Sequence, residues 1–546
     1  MLEGMSSRLV RLLGSVATAG ALLVGLTAAV PAAGSAAAVP PTSLISSAAP
    51  GCVPDTSRPK REMRGEWLAS VVNIDWPSSQ GLAPAQQRAE LRGWYDEAVE
   101  VDMNAVVLQV RPTADAFWPS PFEPWSKYLT GTQGDSPGYD PLRFAVEQAH
   151  RRDLEFHAWF NPYRVSMDTD VGDLVATHPA RVHPDWRVSY GGKLYYNPGV
   201  PEARRYVEKA VLHAVRNYSI DAVHFDDYFY PYPVAGEKFP DGRAFEQYGQ
   251  DFPDTATGRA EWRRRNIDLL VSELDTRIAR IKPWVKFGVS PFAIWRNAST
   301  DPSGSDTQGG AETYDDLYAD TRKWVRREWI DYVAPQVYWN IGFEVADYAK
   351  LTRWWSREVK GTAVQLFIGQ AVYKVGLAGQ PEEWQQAGEL SKHVRFNRAR
   401  RAAGFPVHGD LYYSGSGVRD NLLGAIDLVT DRHFRRPALQ PVSRLVPGRA
   451  PGAPKALKGE RRGSTVSLSW RGRGAAYAVY RFGNRRAITP CSLRDAAHLV
   501  DTFRRAPGQP VQRWSARVRP GRAVTYVVTA LSRANRESGT SIVTPR

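Results

Sequence analysis

The sequence predicts an α/β fold, a (β/α)8 TIM barrel followed by a small C-terminal β-sandwich. Between residues 61 and 437, short apolar runs bounded by turn signals alternate eight times with helical patterns, as they do in parallel barrels. Between residues 455 and 546, short alternating runs separated by turns are typical of an antiparallel sandwich. With 546 residues, of which 43% are hydrophobic, the chain can build both cores.

The eight predicted barrel strands are short runs rich in aliphatic and aromatic residues. An open doubly wound sheet is the alternative, but no glycine-rich phosphate loop follows the first run, and this favours the barrel. The runs are Trp67–Val72, Ala105–Val110, Leu154–Phe160, Ile220–Phe225, Val285–Val289, Tyr332–Tyr338, Ala363–Ile368 and Gly409–Tyr413.

Helical patterns lie between these runs. Pro201 stands where the first residue of a helix is expected, and Pro283 ends the longest pattern. The clearest patterns are Ala85–Val101, Pro201–Tyr218, Arg259–Ile281, Tyr314–Trp329 and Glu382–Arg400.

Residues 1–38 predict a cleaved secretory signal peptide. Arg8 and Arg11 precede an uncharged apolar stretch, and three alanines at 36–38 follow as a cleavage site. Residues 39–60 are rich in Pro, Ser and Ala and predict a linker. We therefore expect a protein secreted to the cell envelope. In an oxidising compartment the two cysteines, Cys52 and Cys491, either pair or remain unrelated thiols.

The formal charge of +14 at first suggests a nucleic-acid partner. The excess is confined to the segment from Pro441 to Arg546, which has 21 Lys and Arg against 4 Asp and Glu. The rest of the chain is slightly acidic. Because an export signal precedes the rest of the chain, we expect no nucleic-acid partner. We also expect the protein to be a monomer. The basic segment suggests anionic envelope polymers as partners, and a solvated, arginine-rich surface is the alternative.

The basic segment also carries the predicted sandwich. Residues 438–454, rich in Pro and Gly, predict a second linker before it. Two of its strings, Tyr477–Arg481 and Tyr526–Ala530, resemble a fibronectin type III domain, which implies an attachment or spacing role. The predicted strands are Thr465–Trp470, Tyr477–Phe482 and Thr525–Leu531.

Carboxylates at the ends of the barrel strands are the candidate catalytic groups, because barrel enzymes carry their chemistry there. Asp226 and Asp227 directly follow the fourth run and are the strongest candidates, since one of two neighbouring carboxylates raises the pKa of the other. Glu123 and Asp115, after the second run, are candidates for a partner. The alternatives are a turn cap made by one of the aspartates, and salt bridges between the loop acids and nearby cations.

Aromatic, amide and Arg side chains follow the other runs, a combination suited to sugars, and glycoside cleavage needs two carboxylates. No H-E-x-x-H, Cys/His cluster or G-x-S-x-G motif is present, so we expect no metal or other cofactor. We expect Arg111, Asn161 and Arg164 to bind substrate or to orient carboxylates, and Asp75 is alternatively a turn residue at the end of the first strand. The candidates for substrate binding are Asp75, Trp76, Arg111, Trp125, Asn161, Tyr163, Arg164, Tyr228, Tyr230, Trp295, Gln336, Tyr338 and Trp339.

These strand-end strings resemble glycosyl-hydrolase-like family 10 of bacterial envelope proteins. The resemblance runs from Arg61 to Arg436, and it is carried by strings such as His157–Arg164, His224–Pro231 and Pro335–Trp339. It implies a TIM-barrel glycoside hydrolase. Because one branch of the family acts on peptidoglycan strands stripped of their stem peptides, it also implies a β-linked amino-sugar polymer as substrate.

Two other functions remain open. No Glu closes the fifth, sixth or seventh run, so a non-catalytic glycan-binding protein is one alternative. The other is a hydrolase of an exogenous polysaccharide. A screen of products from several glycans separates them.

Overall fold

The computed structural model describes residues 54–489, 491–506, 508–519 and 523–545. The predicted signal peptide and Cys52 lie outside these residues. Eight parallel strands close into a barrel in which the first pairs with both the second and the eighth, so the predicted fold is confirmed. Barrel strands 1 to 8 are Met63–Leu68, Ala105–Arg111, Glu155–Phe160, Ala222–Phe225, Lys286–Val289, Tyr332–Val333, Gln365–Ala371 and Gly409–Tyr413.

The helices cover the outside of the barrel, and several begin at residues suited to the role. Asp140 accepts a hydrogen bond from the backbone N–H of Arg143 (2.9 Å), and Pro141 follows as the first helical residue. None of the helices in the described ranges has the length and apolar composition that a bilayer span requires. The α-helices are Pro84–Glu100, Lys127–Thr130, Pro141–Arg151, Pro179–Val182, Pro201–Asn217, Gly242–Tyr248, Ala256–Ile281, Thr321–Arg326, Tyr348–Glu358, Gly388–Ala402, Gly415–Asp420 and Ala425–His433.

The first strand begins four residues earlier than its apolar run. It starts at Met63 and includes Arg64, whose charge is neutralised in the interior by Glu62 (3.0 Å). Glu62 also pairs with Arg398 (2.6 Å), so three charged side chains form one buried network. An apolar pattern therefore does not detect the start of this strand, because it contains a buried charged residue whose charge is neutralised by other side chains.

The predicted helix over Tyr314–Trp329 is much shorter in the structure, where only Thr321–Arg326 is helical. Asp320 accepts a hydrogen bond from the backbone N–H of Lys323 (3.2 Å) and so caps the helix at this point. The preceding residues instead form part of the loop after strand 5.

Polar side chains are linked along the axis of the barrel. The hydroxyl of Tyr332 lies 2.8 Å from Nδ1 of His157 and 2.9 Å from Nδ1 of His224, and Nε2 of His224 lies 2.9 Å from Ser290. Gly288 makes room for this arrangement, since a Cβ there would lie 2.0 Å from the Tyr332 ring. The interior below the strand ends is therefore packed and hydrogen-bonded.

The C-terminal region folds as two antiparallel sheets that share an apolar core, in which Val466 and Trp470 of one sheet pack with Tyr477 and Val528 of the other. Its likeness to a fibronectin type III domain stays a prediction. The three-stranded sheet contains Lys455–Arg462, Thr465–Arg471 and Gln512–Arg517; the four-stranded sheet contains Leu499–Arg504, Ala476–Phe482, Thr525–Leu531 and Ser541–Val543.

The sandwich contacts the barrel at the end where the parallel strands begin. Arg504 of the sandwich pairs with Asp221 (2.7 Å), and Asn535 donates to Glu155 (3.1 Å). Leu439, in the segment predicted as the second linker, is buried among apolar residues of the sandwich. This segment is therefore packed between the two parts.

Candidate active site

Asp226 directly follows barrel strand 4 and is held by donors from strand 3. Its Oδ2 accepts hydrogen bonds from Nε1 of Trp159 (3.2 Å) and from the amide of Asn161, and its Oδ1 accepts one from the backbone N–H of Tyr228 (3.2 Å). Gln109 of strand 2 donates to the oxygen of Asn161 (2.6 Å), which orients that amide toward Asp226. Three neighbouring strands thus fix one carboxylate at the mouth of the barrel.

Asp227 lies in a different environment. Its Oδ2 accepts a hydrogen bond from the hydroxyl of Tyr232, and Gln336, three residues after strand 6, lies beside it. Burial and then the neighbouring charge of Asp226 raise the pKa of Asp227 to about 7. This carboxyl group can hold a proton near neutral pH.

Burial also raises the pKa of Asp226, but several groups oppose that effect. Arg164 acts electrostatically to lower this pKa, as do the hydrogen bonds from Asn161, Tyr228 and Trp159. The surroundings of Asp226 therefore favour the ionised form more than those of Asp227 do. Two adjacent carboxyl groups with environments that separate their protonation states can perform different roles in one reaction.

Aromatic rings surround the two carboxylates and remain at least partly exposed. On one side, ring contacts with centroid separations of 5.6, 6.2 and 5.7 Å connect Tyr228, Tyr232, Phe292 and Trp339 in turn. On the other side, Tyr338 lies 5.9 Å from Tyr373 and 6.1 Å from Tyr413. We call these seven rings the aromatic belt. Such rings can cover the apolar faces of sugar residues.

Glu123 and Asp115, the other predicted catalytic acids, do not reach the mouth of the barrel. The Glu123 side chain has no exposed surface, and both of its oxygens accept hydrogen bonds from Arg111, which is also fully buried. Asp115 is fully buried as well, and burial raises its pKa to about 7. Their prediction as catalytic residues is corrected: Glu123 neutralises a buried Arg, and Asp115 is part of the loop core.

Several predicted substrate contacts are also corrected, because the loops fold back over them. Trp76 has no exposed surface and donates to the carbonyl of Gln87 (2.8 Å). The rings of Tyr163 and Tyr230 are each 1% exposed, and Trp295 donates to Asp320 (3.1 Å) while stacked on Trp354. These four aromatic residues belong to the core.

Three polar candidates act within the protein. Asp75 accepts hydrogen bonds from the backbone N–H of Ala69 (2.7 Å) and from Ser414 (2.9 Å), and so it ties strand 1 to the loop after strand 8. Arg111 and Asn161 are fully buried and donate hydrogen bonds to Glu123 and Asp226, and their predicted role in binding substrate or orienting carboxylates stays a prediction. The other candidates lie near the two aspartates or in the belt around them: Arg164, Tyr228, Gln336, Tyr338 and Trp339. Trp125 is half-buried, and its role in substrate binding stays a prediction.

The structure adds site residues that the order of strand ends does not predict. Trp159 and Gln109 lie before the ends of their strands, yet alternation along strand 3 places Trp159 on the same face as Asn161. Tyr232 and Phe292 enter the site from the loops after strands 4 and 5, and Tyr413 enters it as the last residue of strand 8. Within the described residues, no group of three or more His, Cys, Asp or Glu side chains is placed to hold a metal ion.

A closed parallel barrel with two buried carboxylates among aromatic rings at its mouth is the arrangement expected of a glycoside hydrolase. The family model described as "Glycosyl hydrolase-like 10" matches residues 62–386. The chain belongs to this family, and the resemblance noted in the sequence is confirmed.

The relatives agree with this assignment. The chain is 44% identical over 490 residues to "Glycosyl hydrolase YngK" of Bacillus subtilis (strain 168), covering 88% of this chain and 92% of the relative. It is 40% identical over 381 residues to "Glycosyl hydrolase DigH" of Escherichia coli (strain K12), covering 66% and 85%. Among solved structures, the PgaB (BpsB) glycoside hydrolase domain from Bordetella bronchiseptica aligns with a TM-score of 0.43 and 14% identity, covering 68% of this chain and 99% of that domain.

Proposed function

We propose that this glycoside hydrolase acts outside the cytoplasm on a cell-wall glycan, namely peptidoglycan strands that lack stem peptides. The observation that carries the proposal is the pair formed by Asp226 and Asp227, two adjacent buried carboxyl groups in unlike environments. The apolar run at residues 12–30 with the alanines after it supports export. The aromatic belt suits an unbranched sugar chain better than a peptide-bearing one, because peptides would crowd the rings.

In this proposal Asp227 is the general acid that protonates the departing glycosidic oxygen. Its raised pKa leaves it protonated at neutral pH, as that role requires. Asp226, whose ionised form Arg164 and Asn161 favour against the effect of burial, stabilises the positive charge that develops at the anomeric carbon. The belt holds the sugar rings on either side of the bond that is cleaved.

We expect kcat/KM to decrease on both sides of an optimum at or below neutral pH. The pKa of Asp227 is raised to about 7, so its proton is lost as the pH rises through that value. On the acidic side, activity is lost as Asp226 becomes protonated. Initial rates on a soluble glycan fragment between about pH 4 and about pH 9 test this. A profile that does not decrease above neutral pH would exclude Asp227 as the acid.

The substrate is tested by comparing products from four polymers: peptidoglycan strands stripped of stem peptides, intact peptidoglycan, chitin and β-glucan. We expect new reducing ends mainly from the stripped strands, because this substrate has the amino-sugar backbone without peptides that block the belt. The Asp227→Asn variant serves as the blank for each polymer. Equal or greater release from β-glucan would replace the proposed substrate with an exogenous polysaccharide, and no release from any polymer would favour a glycan-binding protein.

A further inference from the structure

A large basic cleft lies between the barrel and the sandwich, at the end of the barrel opposite Asp226 and Asp227. Its volume is about 1460 Å³, and it is lined by residues that precede or begin barrel strands, such as Asn104 and Lys286, and by the sandwich strands around Arg473 and Arg504. Nine Lys and Arg side chains line it against four Asp and Glu. We call it the floor cleft.

Two of the four acidic groups in the floor cleft, Asp221 and Glu155, are already neutralised by fixed partners. Asp221 pairs with Arg504 (2.7 Å) and lies 2.8 Å from His150, and Glu155 pairs with Lys286 (2.5 Å). Burial raises the pKa of Asp153 to about 7, so this group carries only part of a charge at neutral pH. The acidic residues therefore cannot balance the remaining arginines.

Five arginines of the cleft are exposed and have no carboxylate within ion-pairing distance among the described residues: Arg151, Arg449, Arg473, Arg505 and Arg533. They come from both sides of the cleft, with Arg151 on a barrel helix and the others on the linker and the sandwich. Arg533 lies over the ring of Trp284 (4.4 Å), a contact that holds a cation at the rim without neutralising it. Unpaired guanidinium groups around a concave surface concentrate positive potential inside it.

We propose that the floor cleft is a second binding site, separate from the active site, for a polymer that carries repeated anionic groups. The planar guanidinium group binds phosphate and carboxylate oxygens through paired hydrogen bonds, so either group can occupy the site. Five arginines without an ion-pair partner among the described residues line one cleft, which is more than a single small anion needs. The site would hold the enzyme on an anionic wall polymer while the opposite face engages its glycan.

The test measures binding of poly(glycerol phosphate), polygalacturonate and neutral dextran to the full chain and to two double variants. Arg473→Ser with Arg505→Ser removes two unpaired cations from the cleft. Arg485→Ser with Arg486→Ser is the matched control, because it removes the same charge from exposed positions of the sandwich that do not line the cleft. We expect the first variant to weaken binding of a charged polymer about tenfold and to reduce its salt dependence, and the control to change it less than about twofold.

The two charged polymers distinguish phosphate from carboxylate as the natural group, and dextran is expected not to bind. Hydrolysis of a short neutral glycan should stay unchanged in both double variants, so this test is independent of the proposed hydrolase activity. Equal weakening by the two double variants would overturn the proposal, because it would indicate a diffuse charge effect. Binding of neutral dextran as tight as that of either charged polymer would also overturn it.

Discussion

Asp227→Asn is expected to lower kcat on the glycan by about 10²- to 10⁴-fold, the usual contribution of a positioned proton donor. The amide keeps the shape of the side chain and can still contact Tyr232, but it has no acidic proton to give. Asp226→Asn is expected to lower kcat by about 10²-fold or more, because a buried negative charge aimed at the reacting centre is lost. In both variants the KM should change little, since the aromatic belt is intact.

The matched control is Asp306→Asn, the same chemical change at an aspartate whose side chain is 84% exposed in the loop after strand 5. Its activity should equal that of the natural sequence. Rates and circular dichroism spectra measured side by side separate loss of chemistry from loss of fold. If the Asp226 and Asp227 variants are folded and fully active, the site has been assigned to the wrong residues.

Glu123→Gln is expected to lower the free energy of unfolding by about 3 to 5 kcal/mol, because it leaves the charge of Arg111 buried and unpaired. Arg111 also donates to the backbone carbonyls of Asn161 and Pro162, so the loop that supports Asp226 depends on this pair. Denaturation by urea, followed by fluorescence of the many tryptophans, measures the change.

Glu460→Gln is the control for this substitution, because Glu460 forms an exposed pair with Arg462 in the sandwich. Its unfolding free energy should change by less than about 1 kcal/mol. A Glu123→Gln protein that is as stable as the natural sequence but inactive would restore Glu123 as a catalytic acid.

The position of the two aspartates could be predicted from the sequence because it depends on local order. A buried strand ended at Phe225, and in a barrel the next residues must lie at the mouth. The exposure of the loop residues could not be predicted in this way. Trp76 and Tyr163 follow strands just as Tyr228 does, but whether their rings face substrate or core depends on how distant segments pack over them.

The same limit applies to charged residues in long loops. By residue type and position Glu123 is a catalytic candidate, and Arg111, twelve residues earlier, is one of the nearby cations that could pair with it. Whether such a carboxylate is a catalytic acid or a structural ion-pair partner depends on whether a cation of the folded protein pairs with it. Three-dimensional proximity decides this, and the spacing of residues along the chain does not.

The contact between the barrel and the sandwich makes the two parts interdependent. Despite its burial, which acts the other way, Asp221 has its pKa held below the ordinary value chiefly by Arg504, a residue 283 positions later in the chain. A foreign module spliced onto this barrel, by design or by recombination, would need to bring a cation for Asp221 and an amide for Glu155. Each of the two parts therefore supplies polar partners for buried groups of the other.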